Sequence, residues 1–181
     1  MYRVLVLVVV QVLGQEYGAP GTGASSSSRA TSSQGGSRGS PRTACQGVDL
    51  SYDHAGEMLR LVTGKAAELG VAVCVCIRDR HDNLVAHIRM KNALLGSVEL
   101  SCQKARSSAL FPAPSAALSG FPGVELSNGI ISNLRGGLPL ITSGGVHAGS
   151  IGVSGAMTGE EDEEIAKVAV DKLDFILENY W

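Results

Sequence analysis

The chain has little of what nucleic-acid-binding proteins depend on. Aromatic residues make up 4% of its 181 residues, and 15 lysines and arginines stand against 17 aspartates and glutamates, a formal net charge of -2. Release of counterions from phosphates requires a basic surface, and binding of single strands requires aromatic rings on which bases stack. We therefore do not expect the chain to bind nucleic acid.

The apolar run near the N-terminus is too short to span a bilayer. Residues 4–10, extended by Val12 and Leu13, follow a single charge at Arg3, and a transmembrane helix needs about 20 apolar residues. The run is typical of a signal peptide, which we predict over residues 1–15 without stable membrane anchoring. A buried β-strand is the alternative, because residues 14–16 form a poor cleavage site.

Large hydrophobic side chains are nearly absent from residues 16–47, which consist mostly of Ser, Gly, Thr, Pro, Ala and Arg. Such a composition cannot bury enough apolar surface to fold, so we predict a disordered linker. The segment is also rich in Ser and poor in acids, which resembles a transit sequence. The secretory pathway is the expected localisation, with a plastid or other organelle as the alternative, and the folded domain is expected over residues 48–181.

The four cysteines do not form paired metal-binding motifs. Cys45 lies in the linker and Cys102 in a helical segment, while Cys74 and Cys76 share one face of a predicted strand. One pair with this spacing is a weak metal signal, so we interpret both residues as small buried hydrophobic side chains.

Hydrophobic periodicity predicts alternating helices and strands after residue 48. Helices are predicted over residues 50–69, 96–110 and from 158 towards the C-terminus, and strands over residues 71–77, 84–90, 129–134, 138–142 and 148–154. This order predicts an α+β fold with a five-stranded antiparallel sheet flanked by helices.

Four motifs follow one another in the second half of the chain. They are GGLPL at 136–140, GG at 144–145, GSIGVSGA at 149–156 and the acidic start of the last helix, EDEEIA, at 161–166. In this combination the sequence resembles the GlcG/HbpS-like haem-binding domains, which also form the C-terminal domain of PduO-type cobalamin adenosyltransferases. The resemblance covers residues 50–173 and implies a profilin-like sheet, assembly into homo-oligomers and haem as a ligand.

The resemblance leaves the biochemistry open. Some members of the family bind haem and take part in haem sensing or degradation, and one branch is fused to an adenosyltransferase. That fused activity is not expected here, because residues 1–47 do not contain such a domain. We therefore expect haem as the cofactor in preference to cobalamin.

Four residues are the candidate haem contacts. His54 is the first choice for the iron ligand, with Met58 one turn later on the same helical face, and Lys104 and Arg106 are candidates for pairing with the propionates. The alternatives are a capping role for His54, a core position for Met58 and a solvated helix face for the two cations. His87 and His147 are the second choices for ligation, and His81 is interpreted as a solvated turn residue.

The sequence shows no nucleophile with an accompanying base, so catalysis is not indicated. The leading hypothesis is a small oligomeric haem-binding protein that takes part in haem sensing, storage or transfer. One alternative is a haem-degrading or redox enzyme that uses the same pocket, and another is an assembly module without a ligand.

Overall fold

The computed structural model describes residues 48–124 and 127–180. The predicted signal peptide, the predicted linker and Cys45 lie outside the described residues. Within the described ranges no helix combines the length and the hydropathy that crossing a bilayer requires.

The described part of the chain contains four α-helices, one 3-10 helix and four strands. In chain order they are α1 (Tyr52–Glu68), β1 (Cys74–Asp79), β2 (Leu84–Arg89), α2 (Gly96–Leu110), a short 3-10 helix (Ser115–Leu118), β3 (Gly137–Ile141), β4 (His147–Ser154), α3 (Gly159–Asp171) and α4 (Leu173–Asn179). The C-terminal helix that the sequence predicts as one element is two helices, because the backbone leaves the helical region at Lys172 (φ -108°, ψ 6°).

The strands form one antiparallel sheet in the order β2-β1-β4-β3. The predicted α+β class is confirmed, and the predicted fifth strand over residues 129–134 is not found, since that segment forms turns and bends. Asn128 and Gly129 have positive φ angles of 52° and 76°, which extended strands do not accommodate. The amide of Ser132 then donates to Ser107 Oγ at 2.7 Å, so this segment is bonded to α2.

The two faces of the sheet bury different kinds of side chain. Alternate residues of a strand point to opposite faces, and Val75, Ile77, Ile151 and Val153 all belong to one apolar core with residues of α1, α3 and α4. The residues between them, such as Cys76 and its partner in β4, point to the other face, against which α2 packs.

The cysteines among the described residues lie in or beside the interface with α2. Cys74 and Cys76 are buried, Cys102 is half-buried, and all three are free thiols. Burial is the largest cause that raises the pKa of the Cys76 thiol, and neighbouring Cys102 raises it further. In the described ranges no group of three or more His, Cys, Asp or Glu side chains has an arrangement that could hold a metal ion.

The approach of α2 to the sheet depends on Gly152. A Cβ atom at this position would lie 2.5 Å from the amide nitrogen of Ala105 and would also contact the carbonyl oxygen of Ser101. Both contacts involve backbone, which cannot rotate away. The helix can therefore lie this close to β4 only where the strand has no side chain.

We expect Gly152→Ala to destabilise the domain by about 1–3 kcal/mol, because the methyl group forces α2 away from the sheet. Urea unfolding followed by circular dichroism measures the loss. Gly144→Ala is the matched control, since a Cβ there would meet only the Thr142 hydroxyl at 3.8 Å. Equal stability of the two variants would contradict this account of the packing.

Candidate functional site

His54 is part of the cap that starts α1. The N-cap residue Ser51 accepts a hydrogen bond from the His54 amide at its Oγ atom (3.1 Å), and the Ser51 amide donates to His54 Nδ1 (3.0 Å). This reciprocal pair is a capping box in which the histidine ring takes the place usually held by Glu or Gln. The capping role that the sequence left as an alternative for His54 is therefore present in the structure.

The cap also determines which nitrogen of the ring carries the proton. Because His54 Nδ1 accepts a hydrogen bond, it has a free lone pair, and in the neutral ring the proton is then on Nε2. The side chain is buried (7% exposed), and Nε2 has no hydrogen-bond partner among the described residues. One polar atom of the first turn of α1 is thus left without a partner.

Met58 lies one turn further along α1, but it does not share this environment. Its side chain is fully buried and belongs to the apolar core that also contains Val62 and Ile165. The structure supports the core alternative for Met58, because its sulfur could reach a ligand only if the core were unpacked.

Lys104 is the most deeply buried charged residue in the described part of the chain, with 2% of its surface exposed. Its Nζ atom donates to the carbonyl oxygen of Val153 at 2.9 Å and to Oδ2 of Asp162 at 2.7 Å. The ion pair joins α2 to the end of β4 and to the first turns of α3. Lys104 is therefore not on a solvated helix face.

Asp162 is held on both of its oxygens. Oδ2 accepts from Lys104, and Oδ1 accepts from the amide of Ala156 at 3.0 Å. Burial raises the pKa of Asp162 above its ordinary value, and the hydrogen bond from Lys104 opposes this increase. The hydrogen bonds to Asp162 thus favour its charged form and oppose the effect of burial.

Arg106 pairs with a different carboxylate. Its Nε atom donates to Oδ2 of Asp82 at 2.8 Å, and Oδ1 of the same carboxylate accepts from the buried Arg78. Residues two apart on a helix project about 200° apart. The structure consequently does not bring Lys104 and Arg106 together as two cations beside one ligand.

The candidate haem contacts are also divided between the two sides of the sheet. His54 and Met58 belong to α1, which packs with α3 over the apolar face, whereas Lys104 and Arg106 belong to α2 on the opposite face. The ligation and propionate contacts predicted from the sequence therefore do not form a single pocket within one chain.

The other histidines have distinct environments. His87 Nε2 lies 3.3 Å from Ser101 Oγ, and His81 is exposed in the turn between β1 and β2. His147 is half-buried at the start of β4 with no partner for Nε2 among the described residues. Burial lowers the pKa of His147, which favours the neutral ring.

A cavity of about 610 Å³ lies beside the Lys104–Asp162 pair. It is lined by the start of α2, the segment before β3, the end of β4 and the start of α3, with Ser97, Lys104, Leu134, Ser154 and Asp162 among its residues. Its volume falls within the ordinary range of ligand pockets. Sequence reasoning missed this site, although Lys104 in an otherwise small-residue stripe of α2 could have indicated it.

The fold and these sites define a small α+β domain in which one antiparallel sheet carries helices on both faces and a buried ion pair beside a cavity. The profile of the HbpS-like family, described as "Haem degrading protein HbpS-like", matches residues 50–171. The chain belongs to this family, which confirms the resemblance found in the sequence.

Similar proteins agree with this assignment. The chain is 33% identical over 133 residues to the corrinoid adenosyltransferase PduO of Salmonella typhimurium, a match that covers 68% of this chain but only 38% of PduO. The crystal structure of the Klebsiella pneumoniae protein ORFY has a TM-score of 0.67 at 27% identity, covering 76% of this chain and 97% of ORFY. The crystal structure of a PduOC–haem complex has a TM-score of 0.64 at 27% identity, covering 74% of this chain and 98% of PduOC.

We expect His54 to be the Nε2–H tautomer, which long-range ¹H–¹⁵N spectra of the imidazole ring detect directly. His54→Gln should preserve stability, because the glutamine amide oxygen can accept the hydrogen bond from the Ser51 amide. His54→Ala should lose about 0.5–1.5 kcal/mol with that bond. A proton found on Nδ1 in the free protein would contradict the capping geometry.

We expect Asp162→Ala to destabilise the domain by about 3–5 kcal/mol, because it leaves the Lys104 ammonium buried without a counter-charge. Asp171→Ala removes an exposed carboxylate of the same helix that pairs with Lys167, and it should cost at most about 0.5 kcal/mol. Chemical denaturation of the two variants measures the difference. Similar losses would show that the buried pair has no special role.

Proposed function

We propose that this chain is a haem-binding protein whose iron ligand is His54. The observation that carries the proposal is the buried Nε2 atom of His54, which has no partner among the described residues. Family membership and the haem complex of the similar PduOC domain support haem as the ligand, in preference to cobalamin. Haem would supply an iron that a protein side chain can bind, and histidine is a common ligand of haem iron.

Ligation by His54 requires a change in the cap of α1. An imidazole binds iron through a lone pair, so a neutral ring that binds through Nε2 carries its proton on Nδ1. A protonated Nδ1 cannot accept the hydrogen bond from the Ser51 amide. His54 can therefore bind haem iron if the hydrogen bond from the Ser51 amide to Nδ1 is broken. Iron binding then competes with helix capping.

The rest of the site would come from a second copy of the chain. Tyr52, two residues before His54, exposes 79% of its surface, which offers an aromatic contact to a porphyrin. The cations Lys104 and Arg106 lie on the opposite side of the sheet in the same chain. Lys104 is buried in its ion pair with Asp162, which leaves Arg106 as the cation for a propionate. A homo-oligomer that brings α1 of one copy close to Arg106 of another would complete the site, and we propose such an assembly.

Delivery into the secretory pathway by residues 1–15 remains part of the proposal, with an organelle as the alternative. The composition of residues 1–47 supports it. The proposed roles are haem sensing, storage or transfer.

The test is a haemin titration of the purified chain followed by absorbance. We expect a Soret band that saturates at one haem per chain, and a shifted or lost band in His54→Gln, which retains the cap but lacks the imidazole. His87→Gln and His147→Gln are the matched controls and should bind as the unaltered chain does. An unchanged Soret band in His54→Gln would overturn the assignment of the ligand.

Haem degradation is the second candidate, and the description of the family as haem-degrading favours it. Addition of ascorbate to the haem complex in air separates the two functions. Loss of the Soret band at a rate that depends on the protein supports turnover, whereas a stable band supports binding alone.

A further inference from the structure

We propose that the cavity beside the Lys104–Asp162 pair is a second binding site, independent of His54, for a small carboxylate with an apolar body. The cavity lies on the α2 side of the sheet, whereas His54 lies on α1. The inference thus goes beyond haem binding and stands on different residues.

Two buried serines of the cavity wall have hydroxyl groups that bond no other described residue. Ser97, in the first turn of α2, is 5% exposed, and Ser154, the last residue of β4, is 3% exposed. Both residues line the cavity, and neither Oγ atom takes part in a hydrogen bond with another described residue, in contrast to Ser101 and Ser107 on the same helix. Both hydroxyl groups are therefore free to donate to a ligand in the cavity.

The electrostatic environment favours a negative group. The N-termini of α2 (15 residues) and α3 (13 residues) both contribute to the cavity lining, and each carries the positive end of a helix dipole. No side chain caps α2. The first turn of α3 contains Glu160, Glu161 and Asp162, whereas that of α2 contains one acidic residue, Glu99. The positive end of α2 is therefore the less compensated of the two.

The charge of Lys104 also favours a negatively charged ligand in the cavity. An ammonium group has three N–H donors, and the carbonyl of Val153 and the carboxylate of Asp162 occupy two of them. Asp162 does not repel a second carboxylate strongly, because its two oxygens accept from Lys104 and from the amide of Ala156. The third N–H of Lys104 has no acceptor among the described residues, and Lys104 lines the cavity.

The remaining wall suits an apolar body. Leu100 lines the cavity together with Leu134 and Met157, whose side chains are 52% and 88% exposed. Large apolar side chains around a polar floor match a ligand with an apolar chain and one polar end. A free aliphatic carboxylic acid has this chemistry, and so does the propionate edge of a haem.

Octanoate is the probe, titrated into the full chain by calorimetry and by ¹H–¹⁵N spectra. We expect saturable binding that shifts the amides of residues 96–98 and 154–159. Octanol, with the same chain but no charge, and acetate, without the apolar body, should bind at least tenfold more weakly. Equal binding of octanol, or no saturable binding of octanoate, would overturn the proposal.

Ser97→Ala and Ser154→Ala should each weaken octanoate binding about tenfold, because each removes a hydrogen bond to a charged group. Ser108→Ala is the matched control, since Ser108 is a fully buried serine of α2 that does not line the cavity. Thermal unfolding of the three variants verifies that they fold. Unchanged affinity in both cavity variants would contradict the site.

A competition experiment shows whether the cavity binds a free carboxylic acid or the propionates of haem. Octanoate at saturation should leave the haemin titration unchanged, and Ser154→Ala should bind haemin as the unaltered chain does. Displacement of haem by octanoate would overturn the independence of the site and would assign the cavity to the haem propionates. Loss of haem binding in His54→Gln with octanoate binding intact would leave this proposal standing.

Discussion

The buried ion pair between Lys104 and Asp162 is the interaction on which the arrangement of α2, β4 and α3 depends. It ties a helix on one face of the sheet to the start of a helix on the other, and Lys104 also donates to the carbonyl of Val153 near the end of β4, one of the two inner strands. Gly136 is part of the same constraint, since a Cβ there would lie 2.6 Å from the Val153 oxygen and 3.0 Å from Lys104 Nζ. Because both charges are desolvated, each is tolerated only in the presence of the other.

The contrast between the two faces of the sheet explains where ligands can bind. The interface of α1 and α3 with the sheet is a continuous apolar core, which leaves no room for a ligand between these layers. His54 is not part of this core, so the proposed haem contact lies outside it, at the start of α1. The α2 face is built from Ser, Ala, Gly and Cys, so the helix approaches the backbone closely and its ends border the cavity. The small residues of α2 thus allow close packing on the sheet, and this packing also places the cavity beside the end of the helix.

His54 has two possible uses that compete for the same ring. In the structure the imidazole caps the helix, because Nδ1 accepts a hydrogen bond from the Ser51 amide. Nε2 has no hydrogen-bond partner among the described residues. Ligand binding at Nε2 needs the opposite tautomer. The stability of the first turn of α1 is therefore coupled to the affinity of the proposed haem site, and the coupling is set by one hydrogen bond.

The sequence by itself determined the family, the α+β class and most of the helices and strands, because periodicity and capping residues are local signals. It did not determine that residues 129–134 form no strand, since the bond from Ser132 to Ser107 joins segments far apart in the chain. Tertiary structure alone decided the candidate sites. Only the placement of α1 and α2 on opposite faces separates His54 from Lys104, and only the approach of α3 to α2 gives Lys104 its counter-charge and forms the cavity beside it.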